Sequence, residues 1–554
     1  MNGVAGRREK AWIERLAAGD LSRARYAIAL VAICAVALAV HLPLLDGTFI
    51  AVDDGKQIVH SPVVHDLSCQ SIEKTLWGNY LNRNHAPMYT SFVLNWALSP
   101  GSYTGFAVFN LFCLLVITVI FSRFAALFLA DRVSQLAATA LFAVHMVHVD
   151  VVAWMSARCH LMGMPFFLLA FVAWRRYRED PGALRRAAWY GGALLAAWIA
   201  IWNKNIFFTV GPLLILFDIY RRRRLSAVAV LDKIPLLAMG AVPIYILQTS
   251  TSYLGRIENP ALGDTLITTL LNDANLLVQY LINLLVPLPT YIWVNVYGLS
   301  GPLDVSQGAG LAAMRIAPLA AIGILVAVAL LLVWAARRFG LGLPLFAAAA
   351  SLIALAPVMN IPPRWVEFAF RYDWIPSAFA CPAIVAILAR WWRGSGRASW
   401  RWLAFASLLG LIGWHGVGSH LQARAWTSER RLLERCVESF DDAMQCHTGL
   451  AGILRRRGEL EEAEALGRKM DSLVTRENPR RTLRPDYGLA RTYEKMGRWE
   501  EAAFYYRRAL LRESLRDNRR SLARRRMNAA LRRISEDEAE KPDADPERGA
   551  DGGG

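Results

Sequence analysis

The sequence has few cysteines, which argues against a cysteine-rich metal site. It also has no recognisable cleavage site after its first apolar run, which argues against a cleaved signal peptide. Seven cysteines occur in 554 residues, and none of their spacings is typical of a metal site. The first apolar run is about 20 residues long and lacks a small-residue cleavage site at its end. We therefore expect a retained membrane anchor there rather than a signal peptide.

The sequence does have a long series of apolar runs. Hydrophobic residues make up 55% of the chain. They fall into runs of roughly 17–25 residues, the length at which a helix crosses about 30 Å of hydrocarbon. Open strands cannot satisfy their backbone groups in lipid, so these runs must be helical. Ten or more such runs predict an all-α polytopic membrane protein.

The positive charges are distributed unevenly between the connections that join these runs. The net charge is +17, but most arginines and lysines occur in every second connection, which is the positive-inside pattern of a membrane protein rather than a nucleic-acid surface. The N-terminus is therefore predicted to be cytoplasmic. The basic connections are Arg7–Arg25, Arg123 with Arg132, Arg175–Arg186, Arg221–Arg224 with Lys233, Arg337 with Arg338, and Arg390–Arg401.

The charge rule predicts eleven transmembrane helices and a C-terminus outside the membrane. An apolar stretch at 266–286 must be re-entrant or lie along the outer face, since a crossing there would place Arg337, Arg338 and the 390–401 loop outside. The predicted spans are 26–45, 105–121, 134–150, 160–174, 187–202, 206–220, 234–250, 311–335, 342–358, 373–390 and 402–419. The predicted divisions are a cytoplasmic basic N-terminus (1–25), a transmembrane domain (26–419) with outer loops at 46–104 and 251–310, a helical repeat-like domain (420–535) and a disordered tail (536–554).

The region after residue 420 is charged and helical in pattern. Small and aromatic residues recur there at the spacing of a tetratricopeptide repeat, in which they let two antiparallel helices pack. An ordinary helical hairpin is the alternative. Cys436 and Cys446 could form a disulfide. The residues that carry the repeat pattern are Leu489, Ala490, Tyr493, Gly497, Ala502, Tyr506 and Ala509, with a partial earlier copy at Leu450, Ala451, Leu454, Gly458 and Ala463.

Two adjacent carboxylates, Asp53 and Asp54, follow the first predicted span directly. One of them could act as a general base on an acceptor hydroxyl, since its neighbour and partial burial would raise its pKa. We slightly favour Asp53. A solvated loop pair without catalytic function is the alternative.

A second polar cluster ends the third predicted span. His145 and His148 are three residues apart and so share a helical face, and Asp150 and Arg158 follow. Together these groups could bind a phosphate, with Arg158 as a bidentate donor. The alternatives are a divalent metal held by the two histidines and Asp150, and an interfacial polar belt without a ligand.

Two further polar clusters fall on the same predicted face. Lys204 lies in a tight outer turn between two spans, and Arg371 and Tyr372 open a later span. The simpler explanation for Lys204 is a lysine whose side chain extends to the membrane–water interface without a ligand. The simpler explanation for Arg371 is an aromatic belt with an internal ion pair. The agreement of four clusters on one side of the membrane favours a site.

The order of these motifs resembles the membrane-embedded GT-C glycosyltransferases, specifically the transmembrane-and-tetratricopeptide-repeat O-mannosyltransferases and their bacterial relatives. The first outer loop is similar in Asp53-Asp54, Ser61-Pro62-Val63, Trp77, Pro87-Met88 and Phe106–Asn110. The family's His-Pro-x-His-x-Glu and Gly-Arg motifs are similar to His145–Asp150 and Ala157-Arg158. Its Ser-Lys-Glu turn is similar to Asn203-Lys204-Asn205, and its Glu-Arg-Tyr-Leu-Tyr-Leu-Pro-Ser to Phe370–Ser377.

The resemblance implies an inverting hexosyltransferase that uses a sugar, mannose in the family, on a polyprenyl phosphate. The acceptor would be a hydroxyl of a protein or glycan on the outer, periplasmic-type face of the cytoplasmic (inner) membrane. Asp53 or Asp54 would be the base, and Arg158, Lys204 and Arg371 would stabilise the leaving phosphate. His145, His148, Asp150 and Tyr372 would bind substrate. No cofactor is implied.

Two other functions compete with the transferase. Asn205 and Phe370 replace glutamates of the family motifs, which favours a catalytically decayed membrane scaffold whose tetratricopeptide repeats recruit a protein partner. A transporter is weaker, since no inverted repeat is apparent.

Overall fold

The computed structural model describes residues 21–50, 53–70, 73, 85–221, 231–249, 266–287, 316, 318–340, 342–359, 368–395, 397–439, 444–473, 485–512 and 517–539. Most of the predicted N-terminal segment, most of the second outer loop, Trp77 and nearly all of the predicted tail lie outside these residues. The described residues form two units, one up to Ser439 and one from Met444 onward. The first unit therefore extends beyond residue 420, where the sequence suggested a domain boundary.

The described part of the first unit is helical, with short 3₁₀ and π turns at its breaks. Its main helices are α1 (Arg23–His41), α2 (Ala86–Leu98), α3 (Tyr103–Ala125), α4 (Arg132–Ala143), α5 (Val149–Ala153), α6 (Arg158–Glu179), α7 (Ala183–Asn203), α8 (Val210–Tyr220), α9 (Ile234–Thr249), α10 (Leu266–Leu285), α11 (Pro318–Phe339), α12 (Gly342–Leu355), α13 (Trp374–Gly394), α14 (Ala398–Ala425) and α15 (Glu429–Ser439).

These helices confirm the predicted all-α, polytopic class. Six helical segments in the described residues are long and apolar enough to span a membrane, or seven if the bent pair formed by α4 and the segment ending with α5 is one span. Each of the eleven predicted spans overlaps a helix of the described residues, but several of these helices are shorter than a membrane is thick. Helix α10 does not meet the criterion for a span. The number of eleven crossings stays a prediction, and so does the placement of residues 266–286 as a re-entrant or surface segment.

Polar residues at the helix starts explain where several spans begin. The Ser22 hydroxyl accepts a hydrogen bond from the backbone N–H of Arg25 before α1, and the Ser102 hydroxyl does the same for Gly105 before α3. These side chains satisfy amide groups that the first helical turn leaves without a partner. Along α1 and α11, exposed apolar side chains such as Ile28 and Leu319 are 70% accessible, as expected of surfaces that face lipid.

Stacked and edge-on aromatic rings hold the centre of the first unit together. Phe121 of α3 and Phe142 of α4 stack with their ring centroids 3.9 Å apart. Phe124 of α3 lies 5.5 Å from Phe171 of α6 and 5.6 Å from Phe379 of α13, both edge-on. Such offset geometry is favourable beyond the area that the rings bury. It fixes α3, α4, α6 and α13 against one another, and these helices position the candidate site.

A buried group of four charged side chains joins the C-terminal end of α6 to the C-terminal end of α8. The Arg178 guanidinium lies 2.6 Å from Asp218 and 2.9 Å from Asp232. The Lys233 ammonium lies 2.9 Å from Asp218 and 3.1 Å from Asp232. The group is neutral as a whole, so burial does not leave a charge uncompensated. Asp218 therefore belongs to this cluster, in which it holds α8 against α6.

The described part of the second unit is a series of helices whose neighbours in sequence also pack together. Gly458 and Gly497 follow two of them with φ of +87° and +73°, the left-handed conformation in which glycine commonly ends a helix. Leu489, Ala490 and Tyr493 are buried at the positions that the repeat pattern indicates. The tetratricopeptide assignment itself stays a prediction. The helices are α16 (Met444–Arg457), α17 (Leu460–Leu473), α18 (Asp486–Met496), α19 (Trp499–Arg512) and α20 (Asp517–Ala539).

The cysteines fall into two groups, disulfide-bonded residues and free thiols. Cys436 and Cys446 are disulfide-bonded, whereas Cys34, Cys69, Cys113, Cys159 and Cys381 are free thiols.

Candidate active site

The candidate site forms around a break in the third predicted span. Helix α4 ends at Ala143, and the segment from Met146 through α5 is bent by 50° relative to it. The His145 imidazole stabilises the break, since its Nδ1 accepts the backbone N–H of Val147 at 3.4 Å. A second short turn, Met155–Ala157, precedes α6. Because of these 3₁₀ turns, the polar side chains of the motif point in directions that one straight α-helix would not allow.

Asp54 is fully buried and its carboxylate is well satisfied. Its Oδ1 accepts the backbone N–H of Ser156 at 2.9 Å and the Ser156 hydroxyl at 2.5 Å, and its Oδ2 accepts the N–H of Ile50 at 3.1 Å. Burial raises the pKa of Asp54 to about 6, and these hydrogen bonds oppose the shift. Asp54 thus ties the segment after the first span to the turn before α6.

Asp53 lies in a different environment from its neighbour. It is only partly buried, and no described residue forms a hydrogen bond with its carboxylate. Burial raises the pKa of Asp53, and the charges that oppose the shift belong to Arg371, Lys204 and Lys56. The structure therefore brings together three residues that lie far apart in sequence: an available carboxylate and two cations of the predicted site.

Lys204 ends α7 and contacts an imidazole that the sequence had not singled out. Its Nζ lies 3.3 Å from Nε2 of His85, and Nδ1 of His85 lies 3.0 Å from the carbonyl oxygen of Asn203. Within the ranges that the structure describes, no carboxylate pairs with the Lys204 ammonium. Its positive charge is thus left uncompensated by a salt bridge, in agreement with its influence on Asp53.

Arg371 and Tyr372 lie on a 3₁₀ turn, Phe370–Asp373, that precedes α13. One guanidinium nitrogen of Arg371 is 3.9 Å from a carboxylate oxygen of Asp150. The guanidinium carbon lies 5.3 Å from the ring centres of both Trp154 and Tyr372. Asp150 and the two rings therefore orient the guanidinium.

Arg158 is placed differently from the phosphate donor that the sequence suggested. Its side chain is fully buried and donates to Asn110 Oδ1 at 2.7 Å, Asn95 Oδ1 at 3.0 Å, the Phe106 carbonyl at 3.1 Å and the Ser91 hydroxyl at 3.3 Å. It also packs against three phenylalanine rings at 4.6 to 5.0 Å. Four of its hydrogen-bond donors are thus directed at protein oxygens, and little of the group remains for a phosphate.

The two predicted histidines are buried beside the break. Nε2 of His145 lies 3.2 Å from the carbonyl oxygen of Leu284 at the end of α10, and Nε2 of His148 lies 2.9 Å from the hydroxyl of Ser377 on α13. A third imidazole, His415 of α14, has its ring centre 4.0 Å from that of His145. The imidazoles therefore join α10, α13 and α14 to the broken span.

Several residues of the site were not among the sequence candidates. His85, Ser156, His415 and Ser377 all contact predicted site residues, and Asn95 and Asn110 hold Arg158. Polar residues inside apolar runs are the signal that could have identified Asn95, Asn110 and His415, because such groups need buried partners. In the described part of the chain, no group of three histidine, cysteine or acidic side chains is arranged to hold a metal ion.

Comparison with known proteins finds relatives of one kind. The protein O-mannosyl-transferase F38B6.6 of Caenorhabditis elegans is 30% identical over 155 residues, which are 25% of this chain and 22% of that protein. The human protein O-mannosyl-transferase TMTC4 is 29% identical over 218 residues, 34% of this chain and 29% of its own length. Human protein O-mannosyl-transferase TMTC3 is 29% identical over 118 residues, which are 20% of this chain and 13% of that protein. No family model and no solved structure matches the chain.

These relatives confirm the resemblance to the transmembrane-and-tetratricopeptide-repeat O-mannosyltransferases that the motifs indicated. The matched part spans less than a third of each of these three relatives. All three are animal proteins, so the narrower expectation of a bacterial relative gains no support from them.

Proposed function

We propose that this chain is an inverting membrane glycosyltransferase that moves a hexose, mannose by relation to its relatives, from a polyprenyl phosphate to a hydroxyl. The acceptor is a protein or glycan on the outer face of the cytoplasmic membrane. The observation that carries the proposal is the arrangement of Asp53, whose carboxylate has no hydrogen bond from a described residue and lies within electrostatic reach of Lys204 and Arg371.

Asp53 is the general base in this mechanism. Its carboxylate takes the proton of the acceptor hydroxyl as the hydroxyl oxygen forms a bond with the anomeric carbon of the sugar. Burial favours this transfer because it makes the carboxylate more basic, while the nearby cations keep it ionised at neutral pH. Asp54 is a positioning residue, since its oxygens already accept three hydrogen bonds.

Lys204 and Arg371 stabilise the leaving group. As the bond between the anomeric carbon and the phosphate oxygen breaks, the electron pair remains on the polyprenyl phosphate, and positive groups lower the energy of the developing charge. Among the residues that the structure describes, the Lys204 ammonium contacts the His85 imidazole and no carboxylate, so its charge is available to a phosphate. Asp150 and Tyr372 orient Arg371, and Arg158 holds the surrounding helices in place.

This arrangement also bears on the decayed-scaffold alternative. Asn205 replaces the family's glutamate beside Lys204, and this replacement was the reason to doubt activity. The Lys204 ammonium, which pairs with no carboxylate in the described ranges, still serves the proposed step, since the charge that matters is the one that faces the phosphate. Asp53, Lys204 and Arg371 remain together, which favours a working enzyme.

The charges of the connections and the state of two cysteines support the proposed orientation. The basic connections predict that the end of the helices bearing Asp53, Lys204 and Arg371 faces outward. The disulfide-bonded state of Cys436 and Cys446, which follow the last predicted span, supports an oxidising compartment on that side. Thiol labelling of Cys436 and Cys446 in intact cells, with and without reduction, tests this orientation. Labelling without prior reduction would contradict it.

The activity is tested with purified full-length protein and labelled polyprenyl-phosphate sugars. Release of polyprenyl phosphate and transfer of label to a serine- and threonine-rich peptide pool are measured for mannose, glucose and galactose donors. We expect Asp53→Asn to lower transfer by about 10²-fold or more with an unchanged melting temperature. The matched control is Asp46→Asn, which removes an exposed carboxylate close by. Retained transfer in Asp53→Asn would remove the general-base assignment, and no lipid phosphate release from any donor would favour the scaffold.

A further inference from the structure

A cleft lies at the end of α13 that is far from the candidate active site. It is bounded by the first turns of α4, the last turns of α13 and the first turns of α14, and its volume is about 390 Å³. Its lining is mainly apolar and includes Val133, Ala137, Leu388, Trp392, Phe405 and Leu408. Val385, the first residue of α13 that lines the cleft, follows Arg371 by 14 residues, so about 20 Å of helix separates the cleft from Arg371. The two sites therefore lie near opposite ends of the helix.

Arginines lie among and next to the residues that line this cleft. Arg393 and Asp131, which both line it, form an ion pair at 3.0 Å, and half of the Arg393 side chain remains exposed. Arg390 precedes Arg393 by one helical turn on the same face, and Arg397 and Arg401 lie at the start of α14; all three are exposed. Four guanidinium groups thus accompany one carboxylate, which leaves a clear positive excess.

Aromatic side chains extend the apolar wall outward. The ring centre of Trp402 lies 6.2 Å from that of Trp392 and 5.9 Å from that of Phe405. Trp402 is 58% and Phe405 41% exposed. Tryptophan at such a position is typical of the boundary between hydrocarbon and headgroups, where one side of the ring is apolar and the N–H is wet.

We propose that this cleft binds one anionic phospholipid from the surrounding bilayer, with an acyl chain in the cleft and the phosphate beside the arginines. The apolar lining fits a hydrocarbon chain, and the charge excess selects a net negative headgroup over a zwitterionic one, whose cation the arginines would repel. Basic pockets between helices on the cytoplasmic side bind acidic headgroups in this way. The proposal does not depend on the transferase activity, because the cleft shares no residue with the candidate active site.

Photolabelling of the full-length protein in nanodiscs tests this assignment. The probes are phosphatidylglycerol and phosphatidylcholine that carry a diazirine on one acyl chain, and the labelled peptides are identified by mass spectrometry. We expect phosphatidylglycerol to label the peptides of residues 385–408 several-fold more than phosphatidylcholine. Unlabelled phosphatidylglycerol should compete with the label, and phosphatidylcholine should not.

Two sets of variants separate the charge from the cavity. Arg390→Gln with Arg397→Gln should weaken phosphatidylglycerol binding roughly fivefold for each charge removed. The matched control, Arg337→Gln with Arg338→Gln, removes two exposed arginines from the end of α11 and should have no effect. Ala137→Phe should reduce labelling by filling the cleft, and a thermal scan confirms that each variant is folded.

Three results would overturn the assignment. Equal labelling by the two phospholipids would show that the arginines do not select the headgroup. Labelling of 385–408 by a polyprenyl-phosphate probe in preference to phosphatidylglycerol would identify the cleft as part of the donor path. Absence of label from these peptides would show that no lipid chain occupies the cleft.

Discussion

The hydrogen bonds between Ser156 and Asp54 permit a sharp test of how the site is held together. The Ser156 hydroxyl donates to Asp54 Oδ1 at 2.5 Å, and Ser156→Ala removes this bond without introducing a larger side chain. The carboxylate keeps the backbone N–H groups of Ser156 at 2.9 Å and Ile50 at 3.1 Å. The change therefore weakens the connection between the first outer segment and α6 but does not abolish it.

The expected cost follows from the type of bond that is lost. A hydrogen bond to an ionised group contributes about 1.5–3 kcal/mol to folding. Ser156 is partly accessible, so water can replace some of the interaction, and we expect a loss near the lower end, about 1.5–2 kcal/mol. For a unit of more than 400 residues that loss lowers the melting temperature by roughly 2 °C. Since the bond also opposes the upward shift of the Asp54 pKa, removing it should raise that pKa above about 6.

The assay compares melting temperature and transfer rate in nanodiscs for four proteins. Ser156→Ala should lose both stability and about two- to tenfold in transfer, because the neighbouring Asp53 is then less well positioned. Asp53→Asn should lose transfer alone. Ser472→Ala, which removes an exposed hydroxyl bonded only to the Lys469 carbonyl of its own helix, serves as the control beside the unaltered protein. An unchanged melting temperature and rate in Ser156→Ala would refute the positioning role of Asp54.

Further predictions concern pH, the buried arginine and the second unit. The transfer rate should fall as the pH is lowered through a value above 3.8, because burial raises the Asp53 pKa and only the ionised base accepts a proton; a pH–rate profile that is flat down to 3.8 would contradict this. The Asp54 pKa of about 6 exceeds its unfolded value of 3.8, so its contribution to the free energy of unfolding is fully present below pH 3.8. This contribution should decrease as the pH rises from 3.8 to 6 and should then stay constant. Melting curves of Asp54→Asn and of the unaltered protein across this pH range test the expectation. Arg158→Met should cost about 3–5 kcal/mol, since it leaves Asn110 and other buried acceptors without a donor, and Arg158→Lys should not restore the lost melting temperature. Gly497→Ala should destabilise the second unit by about 1–2 kcal/mol because its φ is +73°, measured as faster proteolysis of that unit with an unchanged first unit.

The sequence predicted the elements of the fold well because hydrophobic length is a local property. Each predicted span overlaps a helix of the described residues, since a run of apolar residues in lipid must satisfy its backbone internally. The grouping of Asp53, Lys204 and Arg371 could also be anticipated, because the alternation of basic connections assigns each polar cluster to one side of the membrane. Neither prediction needed any knowledge of how the helices pack.

The role of Arg158 could not be predicted, because it depends on packing. Its hydrogen-bond acceptors come from residues 48 to 67 positions away in sequence, and the motif alone does not distinguish a guanidinium held by protein from one that binds phosphate. The same holds for His85 and Lys204, which are 119 residues apart. The first unit ends at Ser439, beyond residue 420 where the charged composition begins, because composition alone does not show which helices pack together.

The candidate site consists of two layers that differ in how completely their polar groups are satisfied. Asp54, Ser156, Arg158 and Asn110 form a buried layer in which each charged group has several hydrogen bonds, so burial of these groups is compensated. Next in sequence to Asp54, the Asp53 carboxylate accepts no hydrogen bond from the described residues. A protein selected only for stability would gain from a hydrogen bond to this carboxylate. Its availability beside a satisfied layer is expected where a charged group must meet a substrate, because the buried layer supplies the precise placement that Asp53 needs for chemistry.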